Sequence, residues 1–302
     1  MIKLVYDLIV IGMGPAGISA AIYAKRAGLN ILCLDKMMPG GYLNFIDRID
    51  NYPGYYNISG PELAFKMQEQ LSQMEVPFVI ENVVDIKIEN NVKLVVTSKN
   101  SYSCKNVIIA TGRVSRQLGL ENELELEGKG ISHCALCDGA LFKGRDVAVV
   151  GGGNSALQEA KYLANICNKV YIIHRRDSFR ADVELVNEIQ NQHNVEFVKN
   201  VTITKLLSDG DKLIGVELSN GLSLDIACLF SYVGYVPGTK FATTLNITDN
   251  DGYINVDKNY ETNIPGIYAI GDIIKQRIYQ IVTAVSDGAV CATIIADKLK
   301  SE

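Results

Sequence analysis

The hydrophobic pattern begins with a unit of strand, glycine turn, helix and strand. An apolar, β-branched run at 6–11 predicts a buried strand, and Gly12, Gly14 and Gly17 follow it in G-x-G-x-x-G spacing. An alanine-rich helical stretch comes next, and a second apolar strand ends at Asp35. In such a unit the glycines let backbone N–H groups approach a pyrophosphate, and the acid accepts a hydrogen bond from a ribose hydroxyl. The pattern therefore predicts a dinucleotide site.

The same pattern returns in the middle of the chain. There the turn reads G-x-G-x-x-A over 151–156, and the second strand ends at His174. His174 follows Gly151 by 23 residues, just as Asp35 follows Gly12 by 23 residues. The equal spacing puts His174 at the position that the ribose-binding acid has in the first copy.

The charges at this position indicate which nucleotide each copy binds. Arg175 and Arg176 follow His174, and Arg180 comes four residues later. An acid would repel a 2′-phosphate, whereas arginine binds one through paired hydrogen bonds. Isolated arginine pairs are usually solvated basic turns, but the matched spacing argues against that here. We therefore expect a dinucleotide without a 2′-phosphate in the first copy and NADPH in the second.

Alternating polar and apolar runs follow each copy, at 83–112 and 201–234, and predict a β-meander with a closing strand. A late strand and an amphipathic C-terminal helix belong to neither copy. The predicted fold class is α/β, with two Rossmann-like three-layer ββα dinucleotide-binding domains. The simplest assembly inserts the second domain, 115–242, into a discontinuous first domain made of 1–114 and 243–302.

Composition and charge argue against some partners. The chain has 302 residues, of which 48% are hydrophobic and 21% charged, and its net charge is −5. A mildly acidic chain has no general attraction for nucleic acid or for an anionic membrane. No apolar run approaches the roughly 20 residues that span a bilayer, and the N-terminal strand leaves no room for a signal peptide. We expect a cytoplasmic protein with no nucleic acid and no membrane as partner.

Two of the seven cysteines are close in sequence, in the segment HCALCDG. The other five stand apart in apolar contexts and are expected to be buried thiols. For Cys134 and Cys137 the alternatives are a metal clip, a structural disulfide and a redox pair. Zinc needs about four ligands, but the chain has three histidines and no second C-x-x-C. A disulfide across so short a loop constrains the unfolded chain little, so we favour a redox pair and no metal.

The chain resembles the low-molecular-weight, bacterial-type thioredoxin reductases from end to end. These are class II pyridine nucleotide-disulphide oxidoreductases. The segments that carry the resemblance are GMGPAGISAAIYA, NYPG, ATG, HCALCDG, VVGGGNSA, HRRDSFR, GYVPGT and IPGIYAIGD. The resemblance implies FAD in the first domain, and NADPH and the redox C-x-x-C in the second. It also implies a homodimer that acts as a thioredoxin-disulfide reductase on thioredoxin or a thioredoxin-like protein.

The resemblance also implies the residues of the two cofactor sites. Those for FAD are Gly12, Gly14, Pro15, Ala16, Gly17, Asp35, Lys36, Gly40, Gly41, Tyr42, Asn51, Val84, Ala110, Thr111, Gly112, Gly271, Asp272, Tyr279, Gln280 and Ile281. Those for NADPH are Gly151, Gly153, Asn154, Ser155, Ala156, His174, Arg175, Arg176, Arg180 and Gly234. The last helix would direct the positive end of its dipole at the flavin pyrimidine.

The implied catalytic residues are Cys134, Cys137 and Asp138. Electrons would pass from NADPH to FAD, then to the cysteine pair, and then by thiolate attack to a protein disulfide. Cys137 would face the flavin, Cys134 would attack the partner, and Asp138 would manage the proton. Capping of the following turn is the competing role for Asp138. The family alternates between two arrangements by rotating the inserted domain.

Two positions depart from the family pattern. Tyr42 stands where the family has glutamine, and Tyr279 stands where it has arginine at the start of the last helix. The two aromatic side chains would stack on the flavin or block the nicotinamide, or they reflect neutral drift around a retained FAD site. We favour drift.

The departures keep other functions open. Ferredoxin-dependent flavin thioredoxin reductases do not use NADPH, and they typically lack the second glycine fingerprint and the basic motif that this chain retains. A flavin redox sensor or binding module without turnover is a second alternative. A flavin ferredoxin–NADP reductase of similar fold is disfavoured because it needs no C-x-x-C.

Overall fold

A computed structural model describes residues 5–46, 48–89 and 92–301. The chain forms two compact units: a discontinuous unit that runs up to Val114 and resumes at Val236, and an inserted unit, Ser115–Tyr235. The sequence suggests the same first boundary but puts the second after residue 242. The ends of the predicted first domain, 1–4 and 302, lie outside the described residues.

The second boundary falls earlier because the chain after Tyr235 is bonded to the discontinuous unit. The N–H of Gly238 donates to the carbonyl of Gly112 at 2.9 Å. The hydroxyl of Thr111 donates to the carbonyl of Gly238 at 2.9 Å. Residues after Val236 therefore pack with the loop that follows 101–109. This contact joins distant parts of the chain, so the local sequence pattern does not predict it.

The strands and α-helices of the described residues are numbered in chain order. The strands are β1 Val5–Ile11, β2 Ile31–Asp35, β3 Phe78–Ile80, β4 Val83–Glu89, β5 Val92–Thr97, β6 Ser101–Ile109, β7 Arg113–Ser115, β8 Ile131–Ser132, β9 Asp146–Gly151, β10 Lys169–His174, β11 Val195–Lys199, β12 Ile203–Asp209, β13 Lys212–Leu218, β14 Ser223–Asp225, β15 Cys228–Tyr232, β16 Tyr235–Pro237 and β17 Ile267–Ala269. The helices are α1 Pro15–Arg26, α2 Gly60–Gln73, α3 Glu123–Leu126, α4 Ala135–Asp138, α5 Asn154–Ala164, α6 Val183–Gln190 and α7 Ile281–Ser301.

The discontinuous unit is built on a seven-stranded sheet. Its order is β3-β2-β1-β6-β5-β4, with β17 beside β6. Side chains alternate across β1, so Leu8 and Val10 enter a core with α1 and α7. Ile9 and Ile11 enter a second core with the antiparallel strands β4 and β5. Both faces of β1 are covered from Leu8 to Ile11, and its sequence is apolar over those four residues.

The inserted unit repeats this layering. Its parallel sheet has the order β11-β10-β9-β15-β8, and β12, β13 and β14 form a separate antiparallel sheet. Val147 and Val149 of β9 pack with α5 and α6. Ala148 and Val150 pack with the antiparallel sheet. The predicted α/β class with two Rossmann-like three-layer domains is confirmed.

The longest described helix is α7, with 21 residues. It packs its apolar face on α1 through Cys291, Ala292 and Ile295. Among the described helices none is both long and apolar enough to cross a membrane.

Candidate active site

The first glycine turn is closed by backbone contacts that leave no room for side chains. Gly12 has φ +95°, and a Cβ there would lie 2.5 Å from the carbonyl oxygen of Ala110. A Cβ on Gly17 would overlap the carbonyl oxygen of Gly12. Helix α1 begins at Pro15, so its unbonded N–H groups face the turn. The turn therefore presents a helix N-terminus to which a phosphate can come close.

Asp35 ends β2 and is bonded to the same turn. Its Oδ2 accepts a 2.6 Å hydrogen bond from the N–H of Met13, and its Oδ1 accepts one of 3.2 Å from Met37. Burial raises the pKa of this carboxyl, while the backbone hydrogen bonds and Lys36 act in the opposite direction. The acid is thus held by the backbone at the edge of the turn, where the spacing predicts it.

Gly40 and Gly41, which follow β2, contact the first glycine turn. The N–H of Gly40 donates to the carbonyl of Met13 at 2.7 Å. A Cβ on Gly41 would lie 2.9 Å from the Cα of Gly14. The φ angles of Gly40 and Gly41 are +124° and +55°, which favour glycine. The close approach of two backbones explains why side chains are absent here.

Two further segments, 110–112 and 271–272, lie against the first glycine turn. Together with the turn and 40–41 they form the surface that we call the cradle. Ala110 is the first residue after β6, and its N–H donates to the carbonyl of Ile11 at 2.7 Å. A Cβ on Gly271 would lie 2.9 Å from the Cβ of Ala16, in the first turn of α1. The structure therefore gathers the first glycine turn, 40–41, 110–112 and 271–272 at one edge of the sheet.

The start of the last helix contacts the NYPG segment. The side-chain amide of Asn51 donates to Oε1 of Gln280 at 3.0 Å. Gln280 and Tyr279 directly precede Ile281, the first residue of α7. These residues are 229 positions apart in sequence and adjacent in the fold.

Three of the predicted FAD residues are exposed. Lys36 is exposed beside Asp35. Tyr42 is 46% exposed and meets the ring of Phe45 edge-on at 6.1 Å. Val84 is 46% exposed near the start of β4.

Arg113 is a residue of this region that the sequence reasoning missed. Its Nη2 lies 3.0 Å from Oδ2 of Asp272, and its guanidinium lies 4.1 Å from the ring centre of Tyr279. The only sequence signal is a cation directly after the ATG segment. Its partners, Asp272 and Tyr279, are about 160 residues away, so the neighbouring sequence does not indicate what this cation contacts.

Asp287 is a second missed residue. It is a buried carboxylate on α7 whose Oδ2 accepts from the N–H of Gly271 at 3.1 Å and from the amide of Gln276. Its Oδ1 accepts from the hydroxyl of Tyr260 at 2.8 Å. Burial and this bond raise the pKa of Tyr260. Asp287 therefore bonds the 271–272 turn to α7. The sequence signal that could have indicated it is an acidic residue among the buried positions of an amphipathic helix.

The second glycine turn has one closed and one open position. A Cβ on Gly151 would lie 2.7 Å from the carbonyl oxygen of Tyr232 and 2.8 Å from the Cβ of Ala156. A Cβ on Gly153 would meet nothing described within 4 Å. Helix α5 begins at Asn154 after this turn. The open position is on the approach to the helix N-terminus, where backbone access to a phosphate matters.

Neighbouring residues fix the rim of this turn. Asn154 donates to Oδ2 of Asp182 at 3.0 Å and accepts from the Asp182 N–H at 2.8 Å. Ser155 is exposed in the first turn of α5. Gly234, with φ +107°, accepts at its carbonyl a 2.9 Å hydrogen bond from the N–H of Arg116.

His174 ends β10, as the spacing predicts, but its side chain is buried. Its ring stacks on Phe179 with 5.0 Å between centres, and its Nε2 lies 3.1 Å from the carbonyl of Ser178. A Cβ on Gly152 would overlap the ring. Burial lowers the pKa of His174, and the nearby arginines lower it further. His174 therefore supports the turn as a neutral ring.

The three arginines of the basic motif are exposed. Arg175 and Arg176 follow β10, and Arg180 is tied to the turn because its N–H donates to the carbonyl of Gly152 at 2.7 Å. The loop thus puts cations beside the second glycine turn, with positive charge supplied by arginine rather than by His174.

Cys134 and Cys137 form a disulfide with 5.4 Å between their Cα atoms. Cys134 caps the short helix α4, where its Sγ accepts from the N–H of Cys137 at 3.1 Å. Cys134 is 7% exposed, whereas Cys137 is an exposed residue. The assignment of Cys134 as the attacking sulfur stays a prediction.

A hydrogen-bond network that the sequence reasoning missed surrounds the pair. The Ser132 hydroxyl donates to Oδ2 of Asp138 at 2.6 Å and accepts from the N–H of Cys134 at 3.1 Å. The N–H of Ala135 donates to the hydroxyl of Tyr232 at 2.9 Å. The N–H of Leu136, the next residue, donates to Oε2 of Glu159 at 3.2 Å.

The capping role considered for Asp138 has no support in this geometry. Asp138 precedes a short 3-10 turn, Gly139–Phe142, and its side chain makes no capping hydrogen bond to it. Its carboxylate instead accepts from Ser132, beside the sulfur pair.

The five other cysteines are buried free thiols, as expected from their contexts. Burial raises the pKa of Cys33 and Cys104 to about 12 and that of Cys167 to about 11. Such thiols stay protonated and unreactive near neutral pH. In the described ranges no group of three or more His, Cys, Asp or Glu residues could hold a metal ion.

Comparison with known proteins agrees with this arrangement. The model of the pyridine nucleotide-disulphide oxidoreductase family matches residues 6–288. A thioredoxin reductase of Listeria monocytogenes is 40% identical over 289 residues, covering 94% of this chain and 91% of its own. The crystal structure of Lactococcus lactis thioredoxin reductase in its FR conformation superposes with a TM-score of 0.87 at 37% identity, covering 98% of this chain and 100% of the other.

A ferredoxin-flavin thioredoxin reductase from Clostridium acetobutylicum is more distant. It matches with a TM-score of 0.56 at 30% identity, covering 98% of this chain and 99% of its own. The chain therefore belongs to the pyridine nucleotide-disulphide oxidoreductase family and, within it, to the thioredoxin reductases.

Proposed function

We propose that this oxidoreductase is an NADPH-dependent thioredoxin-disulfide reductase that uses FAD and acts on thioredoxin or a similar protein. The observation that carries the proposal is the position of the Cys134–Cys137 disulfide. It lies in the same unit as a glycine turn bordered by exposed arginines. That unit is inserted into a second one with its own glycine turn and ribose-type acid, so the chain offers two dinucleotide sites and one redox couple.

The discontinuous unit fits FAD. A side chain on Gly41 or Gly17 would collide with the backbone of the first glycine turn, and the N-terminus of α1 faces that turn. Asp35 would bind the adenosine ribose, and Asp272 would bind the ribitol or the pyrophosphate region. When bound, FAD supplies the two-electron relay between a nicotinamide and a disulfide. The contribution of the chain is to hold and orient this group.

The inserted unit fits NADPH. The open position at Gly153 allows a pyrophosphate to reach the N–H groups at the start of α5. Arg175, Arg176 and Arg180 are exposed cations at the end of β10, the position that a 2′-phosphate takes. The buried ring of His174 carries no charge that would favour the phosphate, so the arginines determine the preference.

The cysteine pair accounts for the transfer of electrons to the partner protein. In the reduced state the Cys134 thiolate attacks one sulfur of the partner disulfide, and the other partner sulfur leaves as a thiolate that takes a proton. Cys137 then attacks the Cys134 sulfur, which re-forms the disulfide seen here and releases the partner as a dithiol. Asp138, anchored by Ser132, holds or delivers the proton at the cysteine sulfurs.

The remaining features of the proposal follow the family. We propose a cytoplasmic homodimer whose inserted domain rotates, so that the cysteine pair reaches the flavin in one state and the partner protein in the other. The ferredoxin-dependent alternative is less supported, because the second glycine turn and the exposed arginines are both present. A sensor without turnover would not need two nucleotide sites.

Steady-state turnover tests the proposal. The purified yellow protein should reduce oxidised thioredoxin with NADPH, and kcat/KM with NADH should be lower by about 10²-fold or more, as for the loss of charge-assisted phosphate contacts. Arg175→Gln with Arg176→Gln should reduce this preference while leaving NADH turnover unchanged. Turnover with reduced ferredoxin and none with NADPH would support the ferredoxin-dependent alternative instead.

A further inference from the structure

The cation that the family pattern places at position 279 has a counterpart elsewhere in this chain. We propose that Arg113 supplies the positive charge of the flavin site, with Tyr279 as the platform on which its guanidinium rests. The inference rests on the proposed binding of FAD in the discontinuous unit. It gives the Tyr279 departure a physical reason, whereas drift leaves it unexplained.

The contacts of Arg113 hold its guanidinium from two sides. Nη2 pairs with Oδ2 of Asp272 at 3.0 Å, and the side chains of the two residues are only 26% and 32% exposed. The guanidinium carbon lies 4.1 Å from the centre of the Tyr279 ring, a close cation–π distance. Tyr279 in turn stacks on Tyr253, with 6.3 Å between ring centres and an angle of 29°. An arginine fixed in this way has few other rotamers available.

The anchors of this cluster belong to the cradle. Arg113 directly follows Gly112, which closes the loop after β6, and Asp272 directly follows Gly271, which packs on Ala16 at the start of α1. Tyr279 lies two residues before α7. The guanidinium thus connects the three segments that surround the first glycine turn on the side of the last helix.

A purely structural tether would give a different pattern of effects. If Arg113 only joined two loops, any substitution that broke the pair would loosen the cradle to the same degree. If Arg113 acts through its charge, lysine should preserve what glutamine loses. A nearby positive charge favours the more negatively charged reduced form of a flavin, and therefore raises its midpoint potential. Removal of Arg113 would also leave the Asp272 carboxylate unpaired at the site.

The test uses the full-length protein with two readouts that do not depend on turnover. The dissociation constant of FAD is measured by fluorescence on flavin-free protein, and the flavin midpoint potential by dye-coupled reduction of the reloaded protein. The variants are Arg113→Gln, Arg113→Lys and the double variant Arg113→Gln/Tyr279→Arg, which returns a cation to position 279. Arg26→Gln, on the exposed last turn of α1 in the same unit, is the matched control.

We expect Arg113→Gln to weaken FAD binding by about tenfold, as for the loss of one charge-assisted contact. Its midpoint potential should fall by about 30 mV. This shift corresponds to a tenfold greater loss of affinity for reduced flavin than for oxidised flavin, converted for two electrons. Arg113→Lys and the double variant should both recover most of the potential, and Arg26→Gln should match the wild type. Wild-type values for Arg113→Gln, or equal losses for glutamine and lysine, would overturn the inference.

The Gln and Lys variants decide the question even if the double variant does not fold. The outcomes also separate this inference from the proposed function. Wild-type protein that binds no FAD would contradict the proposed function, whereas wild-type protein that binds FAD with Arg113→Gln unchanged would contradict only the role of Arg113.

Discussion

The hydroxyl of Ser132 donates a 2.6 Å hydrogen bond to the carboxylate of Asp138. The same oxygen accepts from the N–H of Cys134 at 3.1 Å, and Ser132 is only 6% exposed. One buried hydroxyl therefore connects the acid of the site to the backbone of the first sulfur. The carboxylate lies beside the couple because Ser132 holds it there, although Asp138 is only one residue from Cys137.

Ser132→Ala should affect both stability and proton transfer. The substitution removes a buried hydrogen bond to a charged group, which costs about 1–3 kcal/mol of unfolding free energy. The freed carboxylate should also lose its fixed position beside the sulfurs, so kcat for thioredoxin should fall. Chemical denaturation and kcat measure the two effects, with the exposed Ser223→Ala as control. An unchanged kcat would show that Ser132 does not orient Asp138.

The roles of the two sulfurs can be separated by trapping. Cys134→Ser should still allow NADPH to bleach the flavin, but thioredoxin turnover should fall by more than about 10³-fold, as for loss of a nucleophile. Cys137→Ser should leave Cys134 able to attack, so a mixed disulfide with the partner should accumulate on non-reducing gels. The comparison matters because Cys137 is the more exposed residue in this structure. Accumulation with Cys134→Ser and not with Cys137→Ser would reverse the assignment.

Two adjacent glycines should respond to alanine in different ways. Gly153 has ordinary φ of −103° and open space around its missing side chain, so Gly153→Ala should change the unfolding free energy by less than about 1 kcal/mol. Its methyl group should nevertheless obstruct the pyrophosphate and weaken NADPH binding by about tenfold or more, or about 1.4 kcal/mol.

Gly152→Ala is the matched comparison. Its Cβ would overlap the ring of His174, so this variant should lose stability as well as affinity. Calorimetry of NADPH binding and thermal unfolding of both variants give the measurements. Unchanged NADPH affinity in Gly153→Ala would show that the nucleotide does not bind along this turn.

The buried His174 should make stability depend on pH. Its pKa is lowered in the folded state from an ordinary value of 6.5, so the unfolded chain takes up a proton first as the pH falls. Stability should therefore be lost as the pH drops below about 6.5, by at most about 1.4 kcal/mol per pH unit from this residue. His174→Gln should flatten the curve of unfolding free energy between pH 7.5 and 5.5. An identical slope in the variant would mean that His174 is not held neutral.

Much of the fold could be predicted because its signals are local. β2 ends at Asp35 and β10 ends at His174, as the equal spacing from the two glycine turns predicts. The periodicity of the last segment predicts α7, and the alternating runs predict β4 and β5. Strands and glycine turns follow from a few neighbouring residues, so one sequence is enough to place them.

The supporting contacts could not be predicted because they join distant segments. Arg113 and Asp272 are 159 residues apart, and Ala135 and Tyr232 are 97 apart. The burial of His174 also depends on Phe179 and on the approach of Gly152, which the basic motif does not indicate. Only packing shows that this ring lies under the turn while the arginines stay exposed.

Anaerobic titration with NADPH tests the central claim most directly. The flavin-loaded protein should consume one equivalent of NADPH for the disulfide and one for the flavin, with bleaching of the visible absorbance. Addition of oxidised thioredoxin should then restore the colour, while Cys134→Ser should take up only the equivalent for the flavin and should not be reoxidised. A flavin that stays oxidised under excess NADPH without air would contradict the account.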